Sequence, residues 1–358
     1  MATDESQSDA EPPTEGDPTD QSPFTSTAEY DTSLDDLLLE LLDIWVISPV
    51  KVLWDDYRGR VGLLVVLFYI GMGTIGTILV PFPEWLGAER LIQPFETMEH
   101  PLGTDGQGQD LLGLMVHATP DMLRMVFAGA VFGGVMGIAV GLVSGYMGGT
   151  VDKVLMTITD TVGSIPGLPL LLILVAIIEP SNPYLVGIIL NVQGWAGGAR
   201  GIRAQTLPLR NKEYVEASQA MGQSTSNVLF KEILPELLPM IFIGFLGGAT
   251  SIINASVGLY FVGVLPFTTM NWGVVLNHAY ESSGALYSPE AAHWLLVPLV
   301  TITGLNFGFV MLAQAFDQVF NPRVRARHER RKRSDDEGRL TTEDEDSATD
   351  ISDKIGIQ

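Results

Sequence analysis

Asn211–Pro239 reads NKEYVEASQAMGQSTSNVLFKEILPELLP, one long polar stretch between two apolar runs in the middle of the chain. Asn211 is suited to cap a helix, and Glu213 falls in the first turn, where the helix dipole favours negative charge. Tyr214, Val215, Ala217 and Met221 recur at helical spacing and predict a short amphipathic helix. Gly222 fits the left-handed residue that ends such a helix. Ser224, Thr225 or Ser226 can cap a second helix carrying Val228, Leu229 and Ile233, and Pro235 is expected to stop it. The stretch therefore predicts a helix, a glycine turn and a second helix, tethered at both ends to membrane spans.

Glu216-Ala217-Ser218, then Gly222, then Ile233-Leu234-Pro235 resembles the E-A-A loop of binding-protein-dependent ABC importer permeases. Ser218 stands where that pattern usually has a second alanine. Outside the loop, His100-Pro101-Leu102-Gly103-Thr104-Asp105 with Gly108 and Asp110 is similar to the HPLGTD segment of the second-type permease of dipeptide, oligopeptide and nickel importers. Gly141, Tyr146, Gly148, Gly149 and Asp152, with Met156 and Asp160 after them, follow that group's next motif. Asn271-Trp272-Gly273 and Asn321-Pro322-Arg323 resemble its S-W-G and D-P-R. The likeness runs from about Leu91 to Arg325. Three places depart from it: Gln109 replaces an arginine, Ser256 falls near a usual acid, and Val264–Met270 lacks a proline-rich run.

Working outward, the 358 residues combine a positive mean hydropathy with a formal charge of −22, so apolar spans and acidic segments must be kept apart. Residues 1–33 are acidic and poor in core-forming side chains, which predicts disorder, and they lack the basic start and apolar run of a signal peptide. Leu34–Ile47 reads as an acidic amphipathic helix within a cytoplasmic 34–61 segment. Six apolar stretches within 62–322 predict an all-α integral membrane protein with six spans. They run about 62–82, 122–146, 154–178, 184–200, 240–262 and 293–316. Pro166 and Pro169 should kink the third. Gly129, Gly133, Gly137, Gly141 and Gly145 recur at every fourth position of the second, and so should admit a close helix neighbour.

Lys and Arg decide orientation, since they accumulate on the cytoplasmic side. They cluster before the first span, around the 206–236 loop and in the 323–358 tail, so the loop and both termini are expected in the cytoplasm. The acidic tails suit a high-salt cytoplasm, or are ordinary solvated tails. Nothing resembles a basic nucleic-acid face.

Polar residues inside spans are the candidates for a solute path: Asp160, Asn191, Gln193, Asn254 and Asn306. Interhelical hydrogen bonding is the competing role, and Asp160 sits near enough to a span end to bond at the interface. The absence of cysteine excludes thiolate and Cys-based metal chemistry, and the five histidines lack metal spacing. No G-x-x-x-x-G-K-[ST] motif is present, so ATP and its Mg would bind partner subunits and this chain would need no cofactor. The resemblance implies four kinds of neighbour: a second homologous permease, two ABC ATPases docking on Glu213, Tyr214, Glu216, Ala217, Ser218, Gly222, Ile233, Leu234 and Pro235, an extracellular substrate-binding protein, and lipid. Peptides are its leading solute, with sugars or metal chelates as alternatives. An ion-coupled carrier would need central charges and inverted repeats, neither of which is evident.

Overall fold

Asp56 starts the first helix: its side chain accepts a hydrogen bond from the Arg58 backbone N–H at 3.0 Å. The computed structural model describes residues 53–54, 56–282 and 285–320. The expected acidic N-terminal tail, the 34–47 amphipathic helix and the tail carrying Asn321-Pro322-Arg323 lie outside the described residues. α1 is Tyr57–Leu79, passing through a π turn at Met72–Gly76. Then come α2 (Leu111–Met147), α3 (Gly149–Ser164), α4 (Gly167–Ile178), α5 (Pro183–Leu190) and α6 (Trp195–Leu209). α7 is Glu213–Ala220, α8 is Thr225–Phe261, α9 is Trp272–Ser282 and α10 is Ala292–Phe320. Among the described residues there is no strand, only an isolated bridge between Thr104 and Asp110.

α2 is the axis of the bundle. Its 37 residues extend about 55 Å, more than a hydrocarbon core requires. It starts at Leu111, earlier than the expected 122, because Asp110 caps it by accepting from the Gly113 N–H at 2.7 Å. Leu111, Met115, Ala118 and Met122 are fully buried, and that packing carries the helix through Pro120. α1 lies along α10, where Gly62 meets Gly308 and Leu312 and the Tyr69 hydroxyl donates to the Thr301 carbonyl at 2.7 Å. α8 packs on α2 and α10, with Phe242 stacked on Phe316 at 5.2 Å. Trp272, at the start of α9, is buried against α2 and donates to the Met115 carbonyl at 3.3 Å.

Among the described residues, four helices are long and apolar enough to cross a membrane: α1, α2, α8 and α10. α3 and α4 add a fifth if counted together, bent by 83° at Ile165-Pro166. The break sits at Pro166, whereas Pro169 is accommodated in the first turns of α4. The expected 184–200 span is divided into α5 and α6 by a turn at 191–194, and α6 carries Arg200 and Arg203. Together α5 and α6 run parallel to α2, from Gly187 beside Met125 to Arg210 beside Gly145 and Gly148.

Candidate functional site

The polar turn between α6 and α8 is built by burying one face and clasping the other. Asn211 does not cap α7; Lys212 holds the N-cap position in extended conformation, and its carbonyl accepts from the N–H groups of Val215 and Glu216. Glu213 and Glu216 stand in the first turn, at the positive end of the helix dipole. Val215 is fully buried among Val228, Leu229, Ile233 and Leu234, so the apolar contact expected of a partner is partly met within the chain. Ser218 is buried as well, its carbonyl accepting from the Gln223 N–H at 3.1 Å. Tyr214, Glu216, Ala217 and Met221 stay exposed. Gly222 has φ +79°, where a side chain would be strained.

Glu236 closes the turn. One carboxylate oxygen accepts from Lys212 Nζ and the other from the Tyr214 hydroxyl, both at 2.6 Å. Burial, and then the bond to the Glu236 carboxylate, push the Tyr214 phenol up to about 12. Gln219 Nε2 donates to the Tyr146 hydroxyl at 3.1 Å, joining α7 to the end of α2. Pro235 does not stop the second helix. The chain opens into a π turn at Val228–Ile233 and continues through Pro235 and Pro239 as α8. A wider turn suits a residue that offers no N–H to the carbonyl four places back. Glu236 and Tyr146 escape pattern reading because neither is near α7 in sequence.

The five glycines of α2 all face α5 and α6. A Cβ on Gly141 would stand 2.5 Å from the Ala199 carbonyl oxygen, and one on Gly145 would stand 2.6 Å from Thr206 Cβ. Gly129 and Gly133 abut Gly187 and Asn191 in the same way, whereas Gly137 stands at ordinary contact distance from Trp195 and Ala199. Beside this seam, a cavity of about 330 Å³ opens between α2, α6 and α8, lined by Gly133, Gly137, Asn191, Gly198, Gly248 and Ser251. On its open side Gly197 and Gly198 of α6 and Gly244, Gly247 and Gly248 of α8 would meet nothing if given a Cβ.

The polar path candidates do not converge. Asn191 lines the cavity and donates to the Gly129 carbonyl at 2.7 Å. Gln193 Nε2 donates to the carbonyls of Val162 (2.8 Å) and Ile165, at the α3–α4 break. Asn306 donates to Asn254 Oδ1 at 3.1 Å between α10 and α8. Asp160 is exposed and paired with Arg200 at 3.1 Å. A second ion pair, unflagged by the sequence, ties α3 to α6: Arg203 Nε and Nη2 donate to the two Asp152 oxygens at 2.5 and 2.6 Å. Ser144 also donates to Asp152, at 2.6 Å.

With a polar clasp at one end of a long apolar bundle and a backbone-lined cavity within it, the relatives are informative. The oligopeptide transport system permease protein OppC of Lactococcus lactis subsp. cremoris is 31% identical over 238 residues, 64% of this chain and 78% of that protein. The dipeptide transport system permease protein DppC of Bacillus subtilis is 28% identical over 271 residues, 74% and 81% of the two chains. A solved structure of the MetNI methionine ABC transporter in an inward facing conformation is 21% identical, covers 57% of this chain and 96% of its own, and superposes with a TM-score of 0.41. Residues 137–326 match the family model for the binding-protein-dependent transport system inner membrane component. The chain belongs to that family of membrane permease components.

Proposed function

We propose that this chain forms half of the translocation pathway of an ATP-driven importer for peptides, and that separate ATPases drive it through the α7 turn. Six crossings are counted in this reading, with α3–α4 and α5–α6 as the third and fourth, and both termini and α7 lie in the cytoplasm. A homologous permease covers the open glycine face of α6 and α8, and an extracellular binding protein delivers the solute. The peptide assignment is supported by the curated relatives, which are named as oligopeptide and dipeptide permeases.

The observation that carries the reading is the anchorage of α7. Val215 is fixed in the cluster that roots α8, while Glu213, Glu216, Ala217 and Met221 remain free to meet a partner. A force applied to that exposed face passes through Val215 and Glu236 into α8, and through Arg210 and Gly145 into α2. Coupling is then the difference in the turn's affinity for two arrangements of the ATPase pair. Deletion of Glu213–Gly222 from the assembled transporter should abolish ATPase co-purification and peptide uptake while membrane insertion persists. Uptake that survives the deletion would end the coupling reading.

A further inference from the structure

Tyr146, Gly148, Gly149 and Asp152, four residues of one resembled motif, all stand at the joint between α2 and α3. α2 ends at Met147, Gly148 takes φ +64° and ψ −160°, and Gly149 opens α3 with φ +57°. A side chain would be strained at either position. A Cβ on Gly148 would also stand 2.7 Å from Arg210 Nη1. The Gly148 N–H closes α2 on the Ser144 carbonyl, and the Asp152 N–H starts α3 on the Gly148 carbonyl, both at 3.1 Å. Each bond completes its own helix, so neither locks one helix to the other.

α3 is thus a rod between two breaks, the glycine joint before it and the 83° bend at Pro166 after it. Its apolar anchorage is slight. Thr159 is its one buried residue, and Val162 packs in part on the cluster of Trp195, Ala196 and Ala199. Val154 and Ile158 are at least half exposed. What ties α3 to α6 is polar. Asp152 takes both Arg203 bonds and the Ser144 hydroxyl, and Asp160 pairs with Arg200. Apolar burial resists separation in proportion to the area that water regains. A polar bond at the aqueous edge exchanges its partner for water at small net cost. Asp152 and Arg203 keep such an edge, with side chains 15% and 31% exposed.

Two contacts bring the α7 turn to this joint. Gln219 donates to the Tyr146 hydroxyl, and Arg210, at the foot of α6, donates to the Gly145 carbonyl. Both receiving residues lie within one helical turn of Gly148. The Arg210 guanidinium also stands within electrostatic reach of the Asp152 carboxylate.

We propose that α3 is a strut that swings between the Gly148–Gly149 joint and the Pro166 break, that the Asp152–Arg203 pair latches it on α6, and that α7 works the latch through Tyr146 and Arg210. The proposal deepens the coupling reading by naming the element that the turn moves. It rests on that reading for the source of the force alone.

The test uses the full chain in lipid nanodiscs, with spin labels on introduced cysteines and their separation read by dipolar EPR. The chain has no cysteine of its own, and Thr157 on α3, Ala204 on α6 and Ala139 on α2 are exposed. T157C–A204C should give one narrow distance, and D152N should add a component longer by about 5 Å, the scale of one helical turn. A139C–A204C, across the glycine seam, should not change. D152E keeps the carboxylate and should recover most of the short component. An unchanged T157C–A204C distance in D152N overturns the latch, and so does equal broadening of both pairs. Should D152N fail to insert, R203Q removes the other partner and decides in the same way. In the assembled transporter, ATP with vanadate should shift the T157C–A204C distance, and Y146F/R210Q should remove most of that shift. A shift that persists in Y146F/R210Q sinks the α7 link, and ATP hydrolysis with no shift sinks the strut. Uptake that survives deletion of Glu213–Gly222 ends the coupling reading instead, and the D152N result stands apart from it.

Discussion

Single residues matter here mostly through the space they leave. Gly141 meets the Ala199 backbone, which cannot step aside without moving α6, whereas Gly197 on the open face meets nothing. G141A should therefore cost about 1–3 kcal/mol and lower the melting temperature of the chain in detergent. G197A should stay within about 0.5 kcal/mol of the unaltered chain or gain slightly from helix propensity. Equal melting of the two variants would contradict the packing described. Titration of Tyr214 is a second residue-scale test. Its phenol is held neutral up to about 12 in the folded chain, against an ordinary value of 10, so the folded state binds the extra proton between those values. The clasp thus contributes stability below pH 10 that is lost as pH rises toward 12, and partial exposure screens its size. In tyrosinate absorbance, the difference between the unaltered chain and Y214F should show a component ionising near 12, and E236Q should move that component back toward 10.

At the scale of elements, the bundle tolerates breaks where another part of the chain repairs them. The 83° bend between α3 and α4 frees carbonyls that have no water to turn to within a bilayer, and Gln193 supplies donors to those of Val162 and Ile165. This gives Gln193 a structural task, the interhelical hydrogen bonding that competed with a place in the solute path. Q193A should cost about 1–3 kcal/mol and speed amide exchange across residues 162–170. Exchange unchanged there would mean that the break does not depend on Gln193. Pro166 made the bend visible in the sequence, but the donor that repairs it lies beyond the reach of periodicity. The reverse holds at Pro235. A proline at the end of a polar run reads as a stop, yet Ile233 and Leu234 are fixed by Val215, and the helix widens into a π turn and continues.

For the molecule as a whole, α2 sets the distance between its two working ends at about 55 Å, so the segment before α2 and the α7 turn should lie on opposite faces of the membrane. Because the chain has no cysteine, E216C and M98C each provide a unique thiol, and both native side chains are exposed. An impermeant maleimide added to intact cells should label M98C and spare E216C, with the pattern reversed in inverted vesicles. Labelling of both from one side would overturn the orientation. The all-helical class, the small-residue seam of α2 and the helix–glycine–helix turn were legible in the amino-acid order, since each rests on local periodicity, chain length or the conformational freedom of glycine. What folding alone decided is who stands opposite whom: α5 and α6 against the glycine seam, Glu236 on Tyr214, Arg203 on Asp152, Asn191 on the cavity wall and Gln193 at the break. Those pairings join residues 22 to 62 positions apart, and close packing in three dimensions, not any local propensity, selects among the many partners that composition would allow.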